Sequence, residues 1–148
     1  MKTILVPVDL SAATTRVCDA AGALARLIHA RLVLLHVVQP PPIILNDYYP
    51  FDAGAVVEAV AAGEKFAARR LRALARRCAK KRLPVQTVQR TGQPVAGILA
   101  MAAASKAAYI VIGSHGHGVA YDLLVGSTTQ GVLRKAGCPV LVVPMPRR

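Results

Sequence analysis

The chain reads as an α/β protein: an open, mostly parallel sheet with helices on both faces. Three observations predict this. Short apolar runs, such as Thr3 to Val8, are nearly continuous rather than alternating, which suits strands covered on both sides. Between these runs lie segments whose apolar residues recur at helical spacing. The alternation is β-α-β-α-β-α-β-α-β, the order that parallel strands and right-handed crossovers require.

The elements follow in order. Thr3 to Val8 forms the first strand, with Pro7 near its end and Asp9 just beyond. Ser11 is placed to N-cap a helix running to about His29. Val17, Ala20, Ala21, Leu24, Leu27 and Ile28 share the face that would pack on the sheet. Arg31 to Val38 is the second strand, with His36 part of the sheet. Gln39-Pro40-Pro41-Pro42 ends it, and the stretch to Pro50, including Asn46-Asp47-Tyr48-Tyr49, is expected to loop over the ligand side.

From about Asp52 to Arg82 the pattern is helical and rich in alanine. Ala67, Leu71, Leu74, Ala75 and Cys78 form the inner face. Arg69, Arg72, Arg76 and Lys80 lie opposite, flanked by Arg70, Arg77 and Lys81, and Gly63 is a local weak point. Pro84 to Gln89, short and rather polar, is expected to be an edge strand. Thr91-Gly92-Gln93-Pro94 turns into a third helix whose Val95, Ile98, Leu99 and Ala102 face the core. Ala108 to Ile112 is the fourth strand. Thr128 to Lys135 is the last helix, closed by Gly137, and Pro139 to Pro144 is the fifth strand, with Pro146-Arg147-Arg148 as a tail.

Composition narrows the function classes. A chain of 148 residues fits one domain, and 54% apolar residues suffice for a packed core. No apolar stretch approaches the ~20 residues of a membrane helix. Met1-Lys2-Thr3 leads straight into a strand rather than a leader, so the expected location is the cytoplasm, with no membrane partner. Cys18, Cys78 and Cys138 are too far apart for a zinc or disulfide framework and read as core thiols. The net charge of +12 would attract anionic partners, nucleic acid included.

The most informative stretch follows the fourth strand. Gly113-Ser114-His115-Gly116 is followed by nine residues and then Gly126-Ser127-Thr128. Glycines let a backbone approach a ligand closely, and a helix start offers unpaired N–H groups and the positive end of a dipole. Together these make an anion site suited to phosphate, with the Ser127 and Thr128 hydroxyls as further donors. Ser127 is also placed to N-cap the last helix. No lysine precedes Ser127, so this is not a Walker-type loop, and it is not a Gly-x-Gly-x-x-Gly fingerprint. His115 and His117 can donate to phosphate and would bind it better when charged. Asp9, at the end of the first strand, suits ribose hydroxyls or a divalent cation beside phosphates, or else caps the following helix.

The spacing Gly113-x2-Gly116-x9-Gly126-Ser127 resembles the ATP-binding motif of the universal stress protein family. The likeness extends to the opening Ile4-Leu5-Val6-Pro7-Val8-Asp9, to Leu35-His36-Val37-Val38, and to the closing Cys138-Pro139-Val140-Leu141-Val142-Val143-Pro144. It implies a Rossmann-like five-stranded sheet in the order 3-2-1-4-5, similar to that of adenine nucleotide alpha hydrolases. Strands one and four then flank the switch point where ligands bind in such sheets.

It also implies ATP as ligand, with Mg²⁺ or Mn²⁺ accompanying it at Asp9. Pro7, Val8, Val37 and Ile112 match positions around the nucleotide. The loop Gly113, His115, Gly116, His117, Gly126, Ser127 and Thr128 matches the phosphate cradle. Many family members carry Arg or Lys where His117 stands. A homodimer through Val140, Leu141, Val142 and Val143 of the last strand is implied as well.

No nucleophile, acid and base trio stands out, so efficient catalysis is not expected. The leading reading is a nucleotide-dependent regulator in a stress response. The alternatives are a slow ATPase or nucleotide-dependent enzyme on the same fold, and a module binding nucleic acid or an acidic partner through the arginines of the second helix.

Overall fold

A parallel strand with helices on both sides must bury nearly all its side chains. In β1 (Lys2–Pro7) every residue after Lys2 is buried. The structure, a computed structural model, describes residues 1–40, 53–80, 82–114 and 125–144. Most of the loop expected up to Pro50, Lys81 of the basic face, the segment from His115 to Leu124 and the C-terminal tail lie outside the described residues.

β1 is followed by α1 (Thr14–Leu27), β2 (Ala30–Val38), α2 (Ala53–Ala79), β3 (Val85–Thr91), α3 (Pro94–Ala104), β4 (Tyr109–Gly113), α4 (Ser127–Lys135) and β5 (Val140–Val143). The sheet is parallel throughout, in the order β3-β2-β1-β4-β5. Both the topology and the edge position of the polar third strand are as expected.

The apolar run of β1 divides its residues between two cores. Ile4, Val6 and Val8 pack with Val17, Cys18, Ala21, Leu71 and Cys78 under α1 and α2. Leu5, with Val33, Leu35, Ile110 and Ile112, packs with Ile98 and Val132 under α3 and α4. On that second face α4 comes close to α3 at Gly131, where an added Cβ would lie 2.8 Å from a methyl of Val95. Cys18 and Cys78 are buried core thiols. The Cys78 side chain hydrogen-bonded to it, and then burial, hold the Cys18 thiol far above its ordinary range, so it stays protonated.

Several local expectations are corrected. α1 starts at Thr14 rather than just after Ser11, with Ala13 in the N-cap position. Leu27, expected on the inner face, is 79% exposed, while Cys18, Gly22 and Ala25 are buried there. At 3.6 residues per turn Leu27 falls on the side away from the stripe of Val17, Ala21 and Ala25. β3 runs two residues past Gln89 to Thr91, paired with β2 up to Val38↔Thr91. α2 passes through Gly63 without a break, since packing of a long amphipathic face outweighs one weak helix former.

The ladders on the two sides of β1 differ in length. Pairing with β2 runs from Lys2↔Ala30 to Pro7↔Leu35, and the Val8 N–H extends it to the Leu35 carbonyl at 2.8 Å. Pairing with β4 consists of Ile4↔Tyr109 and Leu5↔Ile110. Past Leu5 the two strands are no longer held together, and a crevice opens at their C-terminal ends.

Candidate functional site

That crevice is a cleft of about 960 Å³. Its floor is formed by Pro7, Val8 and Asp9 after β1, Val37 of β2, and Ile112 and Gly113 of β4. Gly126, Ser127 and Thr128, at the start of α4, close one side. All the predicted site residues that are described therefore line one cleft. His115, Gly116 and His117 lie outside the described residues.

Short hydrogen bonds fix the geometry. The Gly126 N–H donates to the Ser114 carbonyl (2.8 Å), and the Ser114 N–H donates to Val143 (2.9 Å). The two ends of the intervening segment are thus pinned to each other and to the sheet. Buried Thr129 donates its hydroxyl to the Gly113 carbonyl (2.8 Å), locking α4 against the end of β4. The N-cap of α4 is Gly126, not Ser127, and no side chain among the described residues caps it. Helix geometry leaves the N–H groups of Ser127, Thr128 and Thr129 without an intrahelical acceptor, at the positive end of the dipole. Gly126 sits at φ −58°, ψ 154°, a conformation open to any residue, so a need for positive φ does not explain the glycine there.

Asp9 lines the cleft and takes part in the turn that follows it. Its Oδ1 accepts from the Ser11 N–H (3.0 Å) and the Thr14 hydroxyl (3.3 Å). The Ser11 hydroxyl in turn accepts from the Ala13 N–H (3.2 Å). The carboxylate therefore shapes the turn into α1 while also lining the cleft. Leu10, next in the chain, is held at φ 64°, a left-handed conformation costly for a leucine. His36 Nδ1 lies 2.8 Å from the Val8 carbonyl. A carbonyl only accepts, so Nδ1 carries the proton.

Sequence reasoning missed the far wall. Gly63, Phe66, Ala67 and Arg70, one stripe of α2, face the same cleft, as do Thr14 and Ile98. Helical spacing alone groups Arg70 with the arginines that flank the basic face. The weak signal was the aromatic at 66 followed by an arginine one turn later. Arg77, from the same group, is paired with Asp19 at 2.9 Å on the surface. No group of three His, Cys, Asp or Glu arranged to hold a metal occurs among the described residues. No described helix is long and apolar enough to cross a membrane.

With the site in view, the comparisons with known proteins place this chain in a class of small α/β proteins. The family model described as the universal stress protein family matches residues 1–144, and the chain belongs to that family. A universal stress protein of Thermus aquaticus, named for the QAH/OAS sulfhydrylase 3' region, is 35% identical over 142 residues, covering 96% of this chain and 98% of that protein. The structure of universal stress protein UspA from Lactobacillus plantarum aligns with TM-score 0.84 at 27% identity, over 96% of this chain and 97% of that one. The fold is also that of the universal stress protein from Archaeoglobus fulgidus solved in complex with dAMP, with TM-score 0.66 at 23% identity, over 96% of this chain and 97% of that one.

The Asp9 turn gives a prediction independent of any ligand. Asp9→Ala removes the acceptor for the Ser11 N–H and the Thr14 hydroxyl and should destabilise the free protein by about 1–2 kcal/mol in denaturant unfolding. Asp9→Asn, which keeps one acceptor, should lose less. An Asp9→Ala protein as stable as its parent would remove Asp9 from the turn.

Proposed function

We propose that the cleft binds an adenine nucleotide, with ATP the favoured ligand, and that the bound nucleotide sets conformation or partner choice in a stress response. The observation that carries this reading is the convergence of a glycine-flanked helix start, the Asp9 carboxylate and an apolar floor on one cleft at the switch point of the sheet. The uncapped first turn of α4 offers N–H groups to phosphate, Asp9 suits the ribose hydroxyls, and Val8, Val37 and Ile112 suit a base. The dAMP complex of the Archaeoglobus fulgidus relative supports a nucleotide of this class.

Mg²⁺ or Mn²⁺ would come with the nucleotide. Asp9 is the carboxylate that lines the cleft among the described residues, and a small hard cation commonly takes one or two carboxylates plus substrate phosphates. The ion would neutralise phosphate charge, while Asp9 holds it beside the turn into α1.

Gly126→Val is the direct test. The backbone angles at Gly126 accommodate valine, so the fold should persist, while the new side chain stands where phosphate approaches. Affinity for ATP by calorimetry should fall at least tenfold, about 1.4 kcal/mol. An unchanged titration in the folded variant would sink the phosphate cradle.

A homodimer through β5 belongs to the same proposal. β5 is a sheet edge, and its Leu141 is 43% exposed. An apolar edge invites a second copy in a closed two-fold contact. Val143 is 6% exposed and belongs to the core, so a charge there would damage the fold itself. Leu141→Lys is the clean probe. Light scattering should give a dimer for the wild type and a monomer for the variant, and a monomeric wild type at tens of micromolar would refute the β5 contact.

A further inference from the structure

The far wall of the cleft carries a charge that the phosphate cradle does not account for. A nucleotide triphosphate brings three to four negative charges, and Asp9 adds another of the same sign. Among the described residues lining the cleft, Arg70 is the single lysine or arginine. It reaches the cleft from α2, on the opposite side from the start of α4.

Arg70 is held by two contacts that differ in kind. Its guanidinium lies over the Phe66 ring, 5.9 Å from the centroid, one helical turn earlier. This stacking restricts the side chain without using its N–H donors. The second contact is from Nη2 to the Leu10 carbonyl at 3.4 Å, at the long limit of a hydrogen bond and on an exposed residue. A neutral carbonyl at that distance is a weak partner for a guanidinium. A phosphate oxygen is a stronger one, because both partners are then charged and the planar fork can grip two oxygens.

Neighbouring residues leave room for this exchange. Gly63, on the same stripe one and two turns before Phe66 and Arg70, lines the cleft, and a Cβ built on it meets nothing within 4 Å. Phe66 is 59% exposed at the wall of the cleft, which leaves its ring face open to the guanidinium.

We propose that Arg70, steadied by Phe66, is a specificity residue that reads phosphate charge from the α2 side of the cleft, favouring nucleotides with a phosphate chain over the uncharged nucleoside. The proposal rests on the nucleotide reading of the cleft. On binding, the guanidinium exchanges the Leu10 carbonyl for phosphate oxygens. That exchange gives up the long contact to Leu10, while the hydrogen bonds of Asp9 and Ser11 keep the turn into α1 in place.

The test is calorimetric titration of wild type, Arg70→Gln and Arg70→Lys with ATP, adenosine and inorganic tripolyphosphate. Arg70 is exposed, so both variants should fold. Arg70→Gln should weaken ATP binding about tenfold, as expected for loss of a charged hydrogen bond, and leave adenosine within about twofold. Arg70→Lys should recover part of the ATP affinity and none of any bidentate component. An ATP affinity untouched by Arg70→Gln would overturn the proposal. So would a parallel loss for ATP and adenosine, which would mean that Arg70 only holds the Leu10 turn. If wild type binds neither ATP nor adenosine, the nucleotide reading itself fails, and tripolyphosphate then decides on Arg70. Binding by wild type that Arg70→Gln abolishes upholds an anion site, whereas no binding, or binding indifferent to the substitution, removes it.

Discussion

The structure depends on where β1 lets go of β4. The chain winds outward from β1 to β2 and β3, then returns from β3 to β4 on the other side of β1, so the order reverses at the centre of the sheet. The β2 side is laced through Pro7 and Val8, whereas the β4 side stops at Leu5↔Ile110. Backbone groups at the C-terminal ends of β1 and β4 therefore face a gap rather than each other. Every other feature of the site is arranged around that gap: Asp9 on one lip, Gly113 and the start of α4 on the other.

Holding the gap open needs rigid walls, and these come from short polar contacts anchored in apolar cores. Thr129 ties α4 to the Gly113 carbonyl, and Val132, one turn further on, is fully buried in the core beneath α3 and α4. His36 ties β2 to the Val8 carbonyl. On the other face α2 changes character along its length. Gly63, Phe66, Ala67 and Arg70 look onto the cleft, and Leu71 and Cys78 sink into the core below it. The same helix thus shapes the ligand side around its middle and anchors itself towards its C-terminal end.

Much of this was legible in the sequence, for definite reasons. A strand buried on both faces must be apolar throughout, so Ile4 to Val8 and Ile110 to Ile112 announced themselves. Glycines before a helix start marked the cradle side. The less legible parts are those set by contacts distant in the chain. The helix starts later than Ser11 because Asp9 and Ser11 build a turn of their own, which delays α1 to Thr14, and Leu27 faces outward because helical spacing carries it off the stripe of Val17, Ala21 and Ala25. Gly126 displaced Ser127 as the cap because the bond from its N–H to Ser114 sets the entry of α4. Arg70 looked like its neighbours Arg69 and Arg72, because helical periodicity says which side a residue lies on and nothing about what the opposite element brings to it.

The central claim is that the ligand's phosphates meet the first turn of α4 at the crevice between β1 and β4. Backbone amide chemical shifts of labelled protein, followed during titration with ATP, test it most directly. The account predicts the largest shifts at Ser127, Thr128 and Thr129, with Asp9 and Leu10 following, and little change at Arg72 and Arg76 on the outer face of α2. Shifts concentrated on Arg72, Arg76 and their neighbours, with the first turn of α4 unmoved, would contradict it and reassign the anion to the basic surface of the helix.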